Sequence, residues 1–287
     1  MNVQKVISCV NNNTDYIGFV PLASKAWKNL FNLDLTLGYI KSGDLNLDNS
    51  NIEFISDFAD IHTFEPIENI DSGIQSKITR LFLASQASDT INMIVDIDMI
   101  PIHERMLEVL NKIDENNLVK WGFDHPVYYD ELNFGKWPMD KTTAKGSTFK
   151  EIINPDNLQY KELLTSWDGL GEPKDPVSQY RYNQTKVFNN FNIFSDEALL
   201  RELCERSSVD SDRYSYIKRK DVYCDAQESN FPQNLYGRLD RNDGMVDKNN
   251  ISMYYETHGP RSPLSNPDWW RPIEEYIQSF GEELNDK

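Results

Sequence analysis

The sequence predicts an α/β fold with a mainly parallel central sheet and helices on its faces. Three observations carry that expectation. Apolar runs of strand length alternate with segments of helical periodicity across residues 1–100. One such run, Ile91-Asn92-Met93-Ile94-Val95, passes straight into Asp96-Ile97-Asp98 and is then stopped by Pro101. The composition, 39% hydrophobic and 12% aromatic over 287 residues, is that of a chain able to bury a substantial core.

Taken in order, Val3 to Val10 reads as a buried first strand that leads into the polar loop Asn11-Asn12-Asn13-Thr14-Asp15. From Tyr16 to Phe31 apolar residues recur at helical spacing. Leu35 to Ile40 reads as a second strand and Ile52 to Ile55 as a short third one. Ser72 with Gln75 has the form of a capping box. The helix it starts would turn Ile74, Ile78, Leu81 and Phe82 inward. The strand that ends at Asp96 follows.

Beyond Pro101 the pattern loosens. Glu104 to Ile113 reads as a helix with Met106, Leu107, Leu110 and Ile113 inward. Trp121-Gly122-Phe123 and Val127-Tyr128-Tyr129 read as short strands, and Lys136 to Tyr182 as loops. Ser195 is placed to cap a helix running to Glu205, with Leu199, Leu200 and Leu203 buried. A last helix starts at Pro267, a favoured helix-starting residue. Its stripe is Trp269 or Trp270, Ile273, Ile277 and Phe280. The expected organisation is one domain over 1–287. It comprises a nucleotide-binding half at 1–100, an insertion-rich substrate region at 101–265, and a C-terminal helix at 266–287.

Charge and cysteine content narrow the function classes. With 29 Lys and Arg against 46 Asp and Glu, the formal charge is −17. Such a surface repels nucleic acid and anionic membranes. A polyanionic substrate then needs a local basic patch or a metal ion, which reverses the local sign. Cys9, Cys204 and Cys224 are odd in number and lack metal-ligand spacing, so they read as reduced residues. No signal-peptide pattern and no apolar run of spanning length is present, so the expectation is a soluble, cytoplasmic protein without a transmembrane segment.

Asp96 and Asp98 are the first candidate site. Residues two apart on a strand share a side. Both carboxylates are therefore expected at one spot beyond the strand's carboxyl end, where open α/β sheets bind ligands. Hard oxygen ligands suit Mn2+ or Mg2+ bridging to a diphosphate. The plainer alternative is a strand end with polar residues. Lys77 and Arg80, three apart on the preceding helix, would share a face and supply positive charge. His258-Gly259-Pro260-Arg261 offers a nitrogen ligand, a close-approach backbone and a guanidinium for phosphate. Asp225, Gln227 and Glu228 offer carboxylates and an amide for catalysis or positioning. Trp137 and Trp167 are candidates for stacking on an acceptor sugar.

These motifs in this order resemble the GT-A (Rossmann-like) nucleotide-diphospho-sugar transferases, most nearly glycosyltransferase family 8. Asn13-Thr14-Asp15-Tyr16 resembles that family's nucleotide loop without its leading aspartate. Val95-Asp96-Ile97-Asp98 matches its Asp-x-Asp motif. Gln227-Glu228, with Asp225 nearby, is loosely similar to its Asp-Gln-Asp segment. His258-Gly259-Pro260-Arg261 resembles a shortened His-x-x-Gly-Pro-x-Lys element.

The resemblance implies a metal-dependent glycosyltransferase, retaining rather than inverting. It would use a nucleotide-diphosphate sugar, a UDP-sugar first, and a glycan or glycoprotein hydroxyl as acceptor. Asp96, Asp98 and His258 would hold Mn2+ or Mg2+. Asn11, Asn13, Asp15, Tyr16, Lys77, Arg80, Asp96, Gly259 and Arg261 would bind the donor. Asp225, Gln227 and Glu228 would be catalytic. Two other readings stay open at this point: a haloacid-dehalogenase-like phosphotransferase using Asp96 and Asp98, and a non-catalytic carbohydrate-binding protein on the same scaffold.

Overall fold

A computed structural model describes residues 1–86, 89–121, 141–170, 196–217, 256–257 and 263–285. The strands are β1 (Lys5–Val10), β2 (Leu35–Ile40), β3 (Asp60–Phe64), β4 (Ile91–Val95), β5 (Ile100–Pro101), β6 (Leu118–Trp121), β7 (Lys141–Lys145), β8 (Tyr214–Ile217) and β9 (Glu256–Thr257). The helices are α1 (Thr14–Ile17), α2 (Val20–Phe31), α3 (Leu45–Ile55), α4 (Ser72–Gln86), α5 (Gly146–Ile153), α6 (Tyr160–Ser166), α7 (Asp196–Arg206) and α8 (Pro267–Asn285).

Among the described residues seven strands form one sheet in the order β3-β2-β1-β4-β7-β6-β8. The pairings β1 with β2, β2 with β3, β1 with β4 and β6 with β8 are parallel. Strand β7 runs against both of its neighbours, β4 and β6. The mainly parallel sheet flanked by helices that the sequence predicts is what the structure has, with β7 making it a mixed one. A separate two-stranded ribbon pairs β5 with β9, setting Ile100 opposite Thr257.

Side-chain alternation along the strands divides the core in two. Val6 and Val10 of β1, with Met93 and Val95 of β4, join Ala23 and Trp27 of α2 and Trp270, Ile273 and Ile277 of α8. Ile7 and Ile94 point the other way, towards Ile78 and Leu81 of α4, Phe149 of α5, Leu164 of α6 and Leu199, Leu200 and Leu203 of α7. Fully burying one such side chain contributes about 1.5–3 kcal/mol, so both layers are needed. Close approach of α4 to the sheet depends on Gly38. A Cβ built there would overlap Cys9 Sγ and stand 3.1 Å from Leu83 Cδ1.

Several elements depart from expectation. The third strand is not Ile52 to Ile55, which lies in α3. Asp44 starts that helix by accepting from the backbone N–H groups of Asn46 and Leu47. The strand comes later, at the sheet edge, where Asp60-Ile61-His62-Thr63-Phe64 is too polar to read as buried. Tyr16 to Phe31 is two helices, because Pro21 enters the first turn of α2 and brings no N–H. At α4 the cap is Asp71, whose Oδ1 accepts from Gly73 N and Ile74 N. The Gln75 side chain is spent elsewhere, on Ile67 N, Glu65 O and Tyr160 Oη.

The segment read as loops from Lys136 contains β7, α5 and α6 within its described residues. Strand β7, Lys141-Thr142-Thr143-Ala144-Lys145, hides in the sequence because its buried positions are polar; Thr143 Oγ1, for instance, accepts from Trp121 Nε1 at 3.2 Å. Glu104–Lys112 is a 3-10 helix, with Met106 and Leu110 buried as expected. The helices at Asp196–Arg206 and Pro267–Asn285 carry the predicted stripes, with Leu199, Leu200, Leu203, Trp270, Ile273 and Ile277 buried. Ser195 and the segment 122–129 lie outside the described residues. Cys9 and Cys204 are free thiols.

Lys120 of β6 is fully buried, its Nζ 4.6 Å from the Tyr214 ring centroid and 5.3 Å from that of Tyr216. Burial pushes its ammonium down to about 7, opposed by the neighbouring Cys204 and Glu205 side chains. A base whose folded value lies below its unfolded one destabilises most where both states are protonated, and the penalty fades as pH rises towards the unfolded value. Lys120→Met should therefore raise the unfolding free energy, with the largest gain near pH 7 and a smaller one by pH 9. Urea titrations at both pH values check this. Gly38→Ala should lower the melting temperature, by the equivalent of about 1–3 kcal/mol of overpacking strain.

Candidate functional site

After β1 the chain lays β2 and β3 outward on one side of it, then returns to place β4 on the other. The carboxyl ends of β1 and β4 therefore flank the point where the winding reverses, the place where open α/β sheets form a ligand crevice. Residues 11–15 leave β1 there, and residues 96–98 leave β4.

Strand β4 ends at Val95, and the two aspartates belong to a turn in which Met99 N donates to Asp96 O at 3.1 Å. Strand alternation is thus not what relates them. The turn itself keeps Asp98 close enough for its charge to act on Asp96. The strand end is fixed from two sides, since Val95 O accepts from Ser8 Oγ of β1 at 2.9 Å and from Arg80 Nη1 of α4 at 3.0 Å.

Arg80 organises what surrounds the turn. Its Nη1 donates to Asp96 Oδ1 and its Nη2 to Asp196 Oδ2 in the first turn of α7. Its Nε donates to Lys77 O at 3.2 Å. The side chains of Arg80 and Asp196 are 6% and 7% exposed, whereas that of Asp96 keeps 40%. The guanidinium is thus buried between two carboxylates, and one of these still faces outward.

Electrostatics follow from that arrangement. Loss of surrounding water raises the Asp96 carboxyl above its ordinary value although part of the side chain stays exposed; Arg80 pulls it down, while Asp98 and Asp196 push it up again. An acid whose folded value is raised stabilises the fold at low pH, and that contribution is lost as pH rises through its folded value. Burial works against the charge on Arg80, but Asp96 and Asp196 outweigh it and raise the guanidinium above its ordinary range. Ionising Asp96 therefore has a cost that a further cation at the turn would offset.

The other predicted residues are placed as follows. Asn11 Nδ2 donates to Ser72 Oγ at the start of α4, and its Oδ1 accepts from Asn13 N. Asn13 caps α1 by accepting from Asp15 N. Tyr16 is half-buried against the first core layer. These residues line the loop beyond β1, next to the strand that leads into the aspartate turn. Lys77 is exposed, so it and Arg80 do not share an environment although they are three apart. Trp167 is buried in the second core layer, which removes it as an acceptor-stacking surface. Trp137, Asp225, Gln227, Glu228, His258, Gly259 and Arg261 lie outside the described residues. The residue before His258, Thr257, pairs with Ile100, two positions after Asp98. Among the described residues no three His, Cys, Asp or Glu side chains converge as a metal cage.

Asp196 is the site residue that sequence reasoning missed. Its only local signal is an acid in a helix's first turn, which usually means favourable interaction with the helix dipole. Nothing in the sequence ties it to Arg80.

No protein-family model matches the chain, and no curated protein matches it. Solved structures do resemble it. The glycosyltransferase GlyE of Streptococcus pneumoniae TIGR4 aligns with a TM-score of 0.46 at 12% identity over 98% of this chain and 63% of GlyE, so the chain spans less than two thirds of that protein. The galactosyltransferase LgtC, in complex with donor and acceptor sugar analogues, gives a TM-score of 0.46 at 13% identity over 96% of each chain. S. aureus TarS 1–349, in complex with UDP-GlcNAc, gives 0.39 at 12% identity over 76% of this chain and 56% of TarS.

Removing Arg80 leaves two neighbouring carboxylates without their shared counter-ion, one of them buried. Arg80→Met should lower the unfolding free energy at pH 7 by about 3 kcal/mol, the scale for breaking a buried pair from one side. Chemical denaturation checks this.

Proposed function

We propose that this chain is a metal-dependent glycosyltransferase that moves a sugar from a nucleotide-diphosphate donor, a UDP-sugar first, to a hydroxyl of a glycan or glycoprotein. The observation that carries the reading is the position of the Asp96–Asp98 turn. It stands at the reversal of the sheet's winding, beside the loop that leaves β1, with a buried guanidinium behind it. A chain of formal charge −17 accepts a diphosphate where a bound cation reverses the local sign, and the paired carboxylates of this turn would hold one.

The donor set fits a hard divalent ion. Asp98 and Asp96 supply carboxylate oxygens, and Asp96 keeps exposure although Arg80 holds its Oδ1. His258 is the third ligand in this reading. The β5–β9 ribbon supports it by holding the preceding residue against the strand that follows Asp98. Bound there, Mn2+ or Mg2+ would supply Lewis-acid stabilisation of the departing diphosphate.

The protein's own groups do the rest. Asn11, Asn13, Asp15 and Tyr16 hold the nucleoside beyond β1, while Lys77, Gly259 and Arg261 meet the diphosphate. Arg80 orients Asp96 towards the donor. Asp225, Gln227 and Glu228 position the acceptor and the sugar. In the retaining course the acceptor oxygen attacks the anomeric carbon from the leaving-group side. The bond from that carbon to the phosphate oxygen breaks, and the acceptor proton passes to the departing phosphate.

Asp98→Ala should abolish Mn2+-dependent hydrolysis of a UDP-sugar, while its circular dichroism matches that of the native protein. Donor turnover at the native rate in that variant would sink the reading. A melting-temperature screen of UDP-sugars, with and without Mn2+, should show stabilisation only when both are present.

A further inference from the structure

Arg80 and a divalent ion have a claim on the same carboxylate. A guanidinium is permanently charged and presents five donors in a rigid fork. Behind the turn it is a built-in competitor for whatever cation Asp96 and Asp98 attract. Yet the fork is divided: Nη1 serves Asp96 and the Val95 carbonyl, while Nη2 is held by Asp196. Asp196 is buried with Arg80, arrives from a helix distant in sequence, and belongs to no three-acid group able to cage an ion among the described residues. Its carboxylate serves the arginine.

Resting on the metal-site reading above, we propose that Asp196 is a positioning residue that draws the Arg80 guanidinium away from the Asp96–Asp98 turn and so keeps that turn able to bind a divalent cation. The charge count agrees. Three carboxylates against one guanidinium leave these four side chains at a formal −2. Without Asp196 the count falls to −1, and the whole fork is free to settle on Asp96. The same geometry couples α7 to the end of β4 through a single side chain, so the first turn of α7 acts on the cation without touching it.

The test is direct binding of Mn2+ in the presence of UDP, read from the electron paramagnetic resonance of the free ion. It compares the unaltered chain with Asp196→Asn, Asp196→Glu and the double variant Arg80→Met/Asp196→Asn. Asparagine keeps a hydrogen-bond acceptor for Arg80 but removes the charge. It should weaken Mn2+ binding about tenfold or more, the usual scale for residues that act through a metal's ligands. Glutamate, which keeps the charge, should retain most of the affinity. The double variant removes the competitor together with its restraint and restores the formal −2, so it should bind Mn2+ more tightly than Asp196→Asn alone.

A folded Asp196→Asn that binds Mn2+ as tightly as the native protein overturns the proposal. So does a double variant that binds no better than Asp196→Asn, because Asp196 would then matter without Arg80; where Asp196→Asn does not fold, a folded Asp196→Glu that loses tenfold or more in affinity overturns it instead. A native protein that takes up no Mn2+ with UDP is a different outcome. It removes the metal-site reading itself, and the proposal with it.

Discussion

The parallel pairing of β1 with β4 is the constraint on which the rest of the molecule depends. It sets Val6 opposite Met93 and Ile7 opposite Ile94, and so obliges the chain to come back across its first strand after building β2 and β3. That return creates the crevice and makes β4 central and buried on both faces. It also determines that whatever follows Val95 emerges beside whatever follows Val10. Parallel strands leave their carboxyl ends on one side of a sheet, so two loops remote in sequence become neighbours without any contact of their own.

Burial on the face towards α4 is unusual in how much polarity it admits. Arg80, Gln75, Thr79, Lys120 and Asp196 are all inside. Each polar group there is costly unless partnered. Gln75 and Thr79 satisfy theirs with Tyr160 and with backbone groups. Arg80 satisfies its own with two acids. The effect is specificity of placement: α4, α6 and α7 are located against the sheet by directional bonds as well as by shape. An apolar layer alone would leave their rotations less defined.

What the sequence disclosed, and what it hid, follows from which interactions are local. β1, β2 and β4 were legible because each is a continuous apolar run, and the stripes of α7 and α8 because 3.6-residue periodicity is written along one segment. The cap at Asp44 was legible in principle, but the β-branched and aromatic residues at Ile52 to Ile55 outweighed it. β7 was illegible, since a central strand of two threonines and two lysines contradicts every compositional cue for burial. At the site, the carboxylates of Asp96 and Asp98 announced themselves by context. The choice of Asp196 as the partner of Arg80 is a long-range fact, fixed by where α7 docks. The exposure of Lys77 and the burial of Arg80, three residues apart, likewise depend on which side of α4 the sheet covers.

The short ribbon of β5 with β9 joins residues about 150 positions apart. Closing a loop of that size carries an entropic penalty that nothing local repays in advance. Residues 1–100 hold β1 to β4 and α1 to α4, and can gather most of the sheet's parallel core by comparatively local steps. The strand beyond Asp98 acquires its partner only when residue 257 has been made and has travelled back. During synthesis the strand end that leads into the aspartate turn can therefore be held by Ser8 and Arg80 before the ribbon beyond it exists. The ordering of the region around it is deferred to a late, long-range event in the history of each molecule.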